Sequence, residues 1–206
     1  MRRRMQSLLL GGALAALTLV PGSPAQGAPT GHSNGHSNVH AMKVYVAYAD
    51  GIRGDPTIPS PWDGDEGVVF IGAGVGDPGR FDAGAIRIVN PSRQPLTLDD
   101  VWVAIGSAQY DLWGPYPVVV PGKGSAILTQ TDPLNFNFDT SEPGVVSCEP
   151  TGVIPVVHIT VGSRHPKTRT FLDAGQVLNT GGIDVGAGEC GGANEGLPWV
   201  RVHGRD

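Results

Sequence analysis

The chain has 206 residues, of which 31 are glycine and 18 are proline, and its formal net charge at pH 7 is −5. Glycine and proline both disfavour long helices, and an excess of acidic residues repels nucleic-acid phosphates and anionic membrane surfaces. The composition therefore argues against a helical protein and against a nucleic-acid partner.

The first 27 residues have the pattern of an export signal. Arg2, Arg3 and Arg4 supply a basic start, residues 8–20 are apolar, and residues 25–27 read Ala-Gln-Gly, a small-x-small cleavage pattern. A retained membrane anchor is disfavoured because the apolar run is shorter than the roughly 20 residues that span a bilayer. We expect a secreted chain cleaved after Gly27, with no transmembrane segment. The loss of three arginines leaves 11 basic residues against 19 acidic ones, a net charge of −8.

Residues 28–41 are predicted to be a disordered segment because they contain few apolar residues and a doubled Gly-His-Ser-Asn. His32, His36 and His40 recur at every fourth position, a spacing that would align imidazoles for zinc or copper on a helix. The intervening glycine and serine disfavour a helix. A linker without metal function is therefore the favoured interpretation, and a metal-buffering tail is the alternative.

Short strands follow one another through the rest of the chain, with side chains that alternate between apolar and polar or with short apolar runs. No window repeats apolar residues with the period of a helix. The pattern predicts one all-β domain over residues 42–203, an antiparallel β-sandwich that is expected to be a monomer. The predicted strands lie at 43–48, 68–71, 86–90, 101–105, 125–130, 153–161, 167–173, 176–180 and 197–202.

The two cysteines, Cys148 and Cys190, both follow the export signal. An isolated pair in an oxidising compartment most often forms a disulfide. Two free thiols or a metal pair are the alternatives, but the chain has no CxxC and no third thiol. The sequence therefore favours a Cys148–Cys190 disulfide.

Several phrases resemble a family of exported bacterial β-rich domains, often found in sorted or surface proteins and without an assigned activity. The most specific phrase is Gln-Val-Leu-Asn-Thr-Gly-Gly at residues 176–182, and others lie at residues 61–64, 111–114 and 194–199. Many relatives end in a sorting signal with a membrane helix. This chain is expected to have none, so the resemblance implies release or non-covalent retention at the surface, and it brings no catalytic residues.

The central stretch, residues 82–139, also resembles the lamin-tail type of immunoglobulin-like sandwich. In both, a strand ends in an Asn-Pro turn (Asn90-Pro91), a Pro-Leu-x-Leu strand follows at residues 95–98, and a Pro-Gly turn comes next at Pro121-Gly122. This resemblance implies an immunoglobulin-like, lamin-tail-like fold.

Two further sets of residues are candidates for a site. Asp63, Asp65 and Glu66 place three carboxylates within four positions of one loop, and hard oxygen ligands on a flexible loop suit Ca²⁺. Trp62 and Trp113 lie in polar or turn contexts, where they could form a platform on which a sugar or a peptide stacks. Acidic turn residues and core packing, respectively, are the favoured interpretations.

No residue set indicates catalysis. The chain lacks GxSxG, and the glycine-rich GxGxxG match at residues 74–79 leads into a predicted strand rather than a helix. We expect a secreted, non-enzymatic module that binds an unknown extracellular ligand or surface component. The alternative is a divergent extracellular hydrolase with a metal or carboxylate site in the loops, and calcium is the one candidate cofactor.

Overall fold

The computed structural model describes residues 41–73, 81–140, 151–162, 165–182 and 194–205. The export signal, residues 28–40 with the three histidines, and both cysteines lie outside the described residues. The described part is all-β, as predicted, and its strands form a curled, mixed sheet that closes into a half-barrel. The strands are β1 Lys43–Asp50, β2 Val68–Ile71, β3 Asp82–Val89, β4 Leu96–Ile105, β5 Ala108–Tyr110, β6 Val118–Val120, β7 Ser125–Leu128, β8 Val156–Val161, β9 Lys167–Leu172 and β10 Leu197–Gly204.

The strand order is β2-β7-β3-β1-β10-β9-β8-β4-β5, with β6 also paired to β4. All of these pairs are antiparallel except β2 with β7, so the sheet is mixed rather than purely antiparallel. Strand β10 joins the two halves of the sheet. It pairs with β1 through residues 197–202 and with β9 only through His203 and Gly204.

The main core lies between the inner faces of the two halves. Val44 and Ile86 from the first half and Leu98 and Ile159 from the second are fully buried in one cluster. Alternation places these residues inward because successive side chains of a strand point to opposite faces. Sheet curvature thus brings the apolar faces of distant strands into one interior.

A second, smaller core lies on the outer face of β1, β3 and β7. The loop of residues 51–67 folds over this face and inserts Trp62 among Phe70, Phe81 and Trp199, with ring centroids 5.2–6.0 Å apart. Edge-to-face packing of this kind stabilises aromatic clusters beyond the area that they bury. This loop therefore covers one face of the sheet.

The turns explain why the strands end where they do. Asn90 is buried, its amide nitrogen donates to the carbonyls of Gln94 and Pro121 at 2.8 and 3.1 Å, and its Oδ1 accepts from Ser92 N. Asparagine closes such turns because its side chain imitates a backbone group. The predicted break after β3 is confirmed.

One predicted strand is wrong. Residues 176–180 are not extended: residues 177–180 lie in a 3-10 segment, Val177–Gly182, in which Thr180 has a φ of 43°. The buried carboxylate of Asp173 accepts a hydrogen bond from Leu178 N at 2.8 Å, and Gln176 N donates to Asp173 O at 2.9 Å. Side-chain capping favours a turn over an extended strand, and this turn buries Val177 and Leu178 in the main core.

Candidate functional site

Five basic side chains lie on or next to the outer face of the sheet, around Tyr45. In the pairing register Tyr45 lies between Arg87 of β3 and Arg201 of β10. Directly paired residues project from the same face of a sheet, as do residues two apart along a strand. Lys43 and His203 therefore share this face, and Arg205 follows at the end of β10. These residues, Lys43, Arg87, Arg201, His203 and Arg205, are called the basic strip.

Four of the five residues of the basic strip are open to solvent and form no ion pair within the described residues. Lys43, Arg201, His203 and Arg205 are exposed, and within the described residues no ion pair involves any of them. Arg87 is half-buried. Its guanidinium carbon lies 5.9 Å from the centroid of the Tyr45 ring, and its Nε donates to Ser125 Oγ at 3.3 Å.

The strands that carry the basic strip also contain acidic residues, but these lie away from the strip. Burial lowers the pKa of Arg87, an effect that Tyr45 and Asp65 oppose. The acids of β1 and β3, Asp50 and Asp82, lie at the far ends of their strands and are buried. The outer charged side chains of β1, β3 and β10 are thus all basic, on a chain with an excess of acid.

A groove opens beside the strip where β9 and β10 separate. Residues 172–175 line one wall and residues 200–205 the other, and the groove encloses about 370 Å³. This volume is at the lower end of the roughly 300–1,000 Å³ that is typical of ligand pockets. Val200 is 41% exposed here, although its partner Val46 lies in the main core.

A buried ion cluster lies at the other end of β1. The Arg53 guanidinium is 2.7 Å from Asp82, 3.3 Å from Asp50 and 3.2 Å from Glu195, all of which are buried. The Tyr48 hydroxyl lies 2.8 Å from Asp139 Oδ1 and 3.2 Å from Asp82 Oδ1.

Burial raises the pKa of Asp82 to about 6, while its hydrogen bond with Arg53 opposes that rise. A raised pKa is a mark of functional sites, but buried structural ion pairs produce it as well. Here Asp50 also accepts hydrogen bonds from the backbone of Ile52, Arg53 and Glu195. The cluster thus ties the start of the covering loop to the segment before β10, and the burial of its carboxylates keeps them from a substrate.

The two tryptophans predicted as a stacking platform are packed inside the protein. Trp113 is 1% exposed, and its Nε1 donates to Thr129 O at 2.7 Å. Trp62 is 9% exposed within the smaller core. Neither ring offers an open face, so core packing, the favoured interpretation of the sequence, describes both residues.

The acidic loop is described, and one of its carboxylates is already engaged. Asp65 Oδ2 accepts a hydrogen bond from Trp62 N at 2.8 Å, which closes the turn of residues 62–65. Within the described ranges, no group of three His, Cys, Asp or Glu side chains has the arrangement of a metal site. Calcium at Asp63, Asp65 and Glu66 stays a prediction.

His158 lies in strand β8. Its ring stacks on Trp102, the paired residue of β4, at 3.6 Å between centroids and 4° between planes. Burial lowers the pKa of His158, which favours the neutral ring. The stacked pair is therefore a cross-strand packing contact.

Sequence reasoning missed the basic strip. The signal that could have revealed part of it is the alternation Arg201-Val202-His203-Gly204-Arg205 in the last strand, which places three basic residues on one face. The contribution of Lys43 and Arg87 depends on strand pairing and has no local signal.

Searches of family models, curated proteins and solved structures return no match to this chain. Among the described residues, no helix is both long enough and apolar enough to cross a bilayer.

Proposed function

We propose that this chain is an extracellular, non-enzymatic binding module that holds an acidic segment of another protein on its basic strip. The observation that carries the proposal is the strip itself. Lys43, Arg201 and Arg205 project from neighbouring strands, and no ion pair within the described residues neutralises them. Like charges on adjacent strands repel one another, and an anionic partner removes this repulsion.

The spacing of the strip favours a protein partner over a denser polyanion. Residues two apart on a strand are separated by about 7 Å, so Arg201 and Arg205 lie about 14 Å apart along β10. An extended peptide with an acidic residue at every second position has the same period. Duplex DNA carries one charge per roughly 1.7 Å, and the acidic remainder of the chain repels it.

Two finer aspects of the fold and location belong to this proposal. The two halves of the sheet face each other across a shared core, which supports an immunoglobulin-like sandwich of the lamin-tail type. The basic and apolar pattern at the start of the chain supports secretion.

The test is binding of a fluorescein-labelled, glutamate-rich peptide to the secreted chain, followed by anisotropy. We expect Arg201→Glu and Lys43→Glu each to weaken binding about tenfold. Arg93→Glu, which reverses an exposed charge in the turn before β4, should leave binding unchanged and is the matched control. Raising the salt from about 0.01 to about 0.1 M should also weaken binding, because the screening length falls from about 30 to about 10 Å.

Three outcomes would overturn the proposal. The first is no binding by the wild type at low salt. The second is an equal loss in Arg93→Glu and Arg201→Glu, which would indicate a response to net charge alone. The third is tighter binding to a short DNA duplex than to the peptide.

A further inference from the structure

Within the described residues, one edge of β10 has a strand partner only at the C-terminal end of the strand. On one side β10 pairs with β1 through residues 197–202, but on the other side β9 pairs only with His203 and Gly204. Strand β9 ends at Leu172. The edge of β10 from Val200 to Val202 therefore faces the groove rather than another strand of the described sheet.

The backbone direction along this edge follows from one hydrogen bond. Arg205 N donates to Thr170 O at 3.0 Å, so Arg205 directs its backbone groups toward β9. Residues two apart in an antiparallel strand direct their N–H and C=O groups to the same side. The backbone N–H and C=O groups of His203 and Arg201 therefore point to the same side as those of Arg205. At the level of Arg201, strand β9 has already ended.

The chain after β9 is held away from β10. Asp173 N donates to Pro155 O at 3.0 Å, on the β8 side, and Gln176 N donates back to Asp173 O at 2.9 Å. Asp173 Oδ2 then accepts from Leu178 N, which directs the chain into the main core. The groove is thus kept open by a hydrogen-bonded turn.

The side chains around the groove have two different characters. Val200 faces inward and is 41% exposed, and Leu172 of the opposite wall is half-buried. Arg201 and His203 face outward on the basic strip and are exposed. A strand laid in the groove would therefore meet an apolar surface with one set of alternate residues and basic side chains with the other.

We propose that an extended acidic peptide of a partner protein binds in this groove by adding a strand to the free edge of β10. Its backbone pairs with Arg201, its apolar residues contact Val200, and its acidic residues lie beside Arg201 and His203. Strand addition supplies affinity through main-chain hydrogen bonds and specificity through alternate side chains. This inference rests on the proposed function and specifies the sequence pattern of the partner as alternating acidic and apolar residues.

The experiment compares two peptides of about six residues, the length of an ordinary strand. One alternates aspartate and valine, and the other has the same composition with all aspartates first. We expect the secreted chain to bind the alternating peptide about tenfold more tightly. Methylation of alternate backbone nitrogens in the alternating peptide should abolish binding, because it removes the donors that pair with β10.

Val200→Asp should weaken binding of the alternating peptide about tenfold. Val119→Asp is the matched control, since Val119 is 51% exposed on β6, away from the groove, and it should leave binding unchanged. Arg201→Glu provides a second variant at an exposed position, and thermal melts establish that each variant is folded.

The outcomes separate the two proposals. Equal binding of the two peptides, together with no effect of Val200→Asp and a loss in Arg201→Glu, would overturn strand addition and retain charge-based binding to the basic strip. Failure of both peptides and of the glutamate-rich peptide to bind would overturn both proposals.

Discussion

Replacing Arg53 with methionine tests the buried ion cluster most directly. Methionine keeps an apolar stem but removes the guanidinium that contacts Asp50, Asp82 and Glu195 at 2.7–3.3 Å. Removing one partner of a buried ion pair costs about 3–5 kcal/mol, because the remaining charge is uncompensated. The Arg53 side chain is 12% exposed and that of Asp50 is 0% exposed, so solvent screens these charges weakly. We expect the free energy of unfolding to fall within this range at about pH 7.5.

The loss of stability in Arg53→Met should be larger at high pH than at low pH. Burial raises the pKa of Asp82 from 3.8 in the reference state to about 6 in the folded protein. Between these values the folded state binds more protons than the unfolded state, so the free energy of unfolding falls as the pH rises. Without Arg53 the folded pKa of Asp82 rises further, and the fall continues to higher pH. At about pH 4.5 the loss should be smaller than at about pH 7.5, by about 1.4 kcal/mol or more, the equivalent of one pKa unit.

Urea unfolding followed by tryptophan fluorescence measures this effect, since Trp62 and Trp113 are buried in the folded protein. Arg93→Met, at an exposed position, is the matched control and should change stability little. A loss below about 1 kcal/mol in Arg53→Met would place the cluster with ordinary surface pairs and refute the reasoning. So would a loss that is the same at both pH values.

The remaining predictions concern pH, packing, the cysteines and calcium. Asp82→Asn should flatten the fall in stability between about pH 4 and pH 6, worth at most about 3 kcal/mol in urea titrations, and an unchanged pH profile would contradict the raised pKa. Gly122→Ala should cost about 1–3 kcal/mol in the same assay, because the added methyl would strike a backbone carbonyl, whereas Gly54→Ala meets nothing within 4 Å and should match the wild type. Thiol labelling of the unfolded, unreduced protein should find neither Cys148 nor Cys190 free, and any labelling would argue against the disulfide. If the acidic loop binds calcium, millimolar calcium should raise the melting temperature and a chelator should reverse the rise. A melting temperature that neither calcium nor the chelator changes would contradict the calcium site.

Local pattern was sufficient for the strands that alternate clearly. Val101–Ile105 lies in β4, with Val101 and Val103 fully buried, because a period of two fixes which side chains face the core. Asparagine and glycine likewise marked real turns, since they satisfy backbone groups or adopt conformations that other residues resist. The pattern failed at residues 176–180, where a capping carboxylate and burial in the core decide the conformation.

The candidate site could be predicted only in small part. Trp62 and Trp113 stand in polar sequence surroundings, yet Phe70 packs against Trp62 and Phe138 packs against Trp113, and both tryptophans are buried. The formation of the basic strip depends on strand register, because Arg87 of β3 and Arg201 of β10 flank Tyr45 only when both β3 and β10 pair with β1.

The sequence by itself determined the class of the fold, since alternation, turn residues and the scarcity of helix formers are local properties that act within a few residues. The tertiary structure alone decided the strand order, the change of partner along β10 and the surface on which the basic residues gather. These depend on pairing between segments more than 100 residues apart, such as Tyr45 with Arg201. Such pairing follows from the closure of the whole sheet around its core, and no short stretch of the chain encodes it.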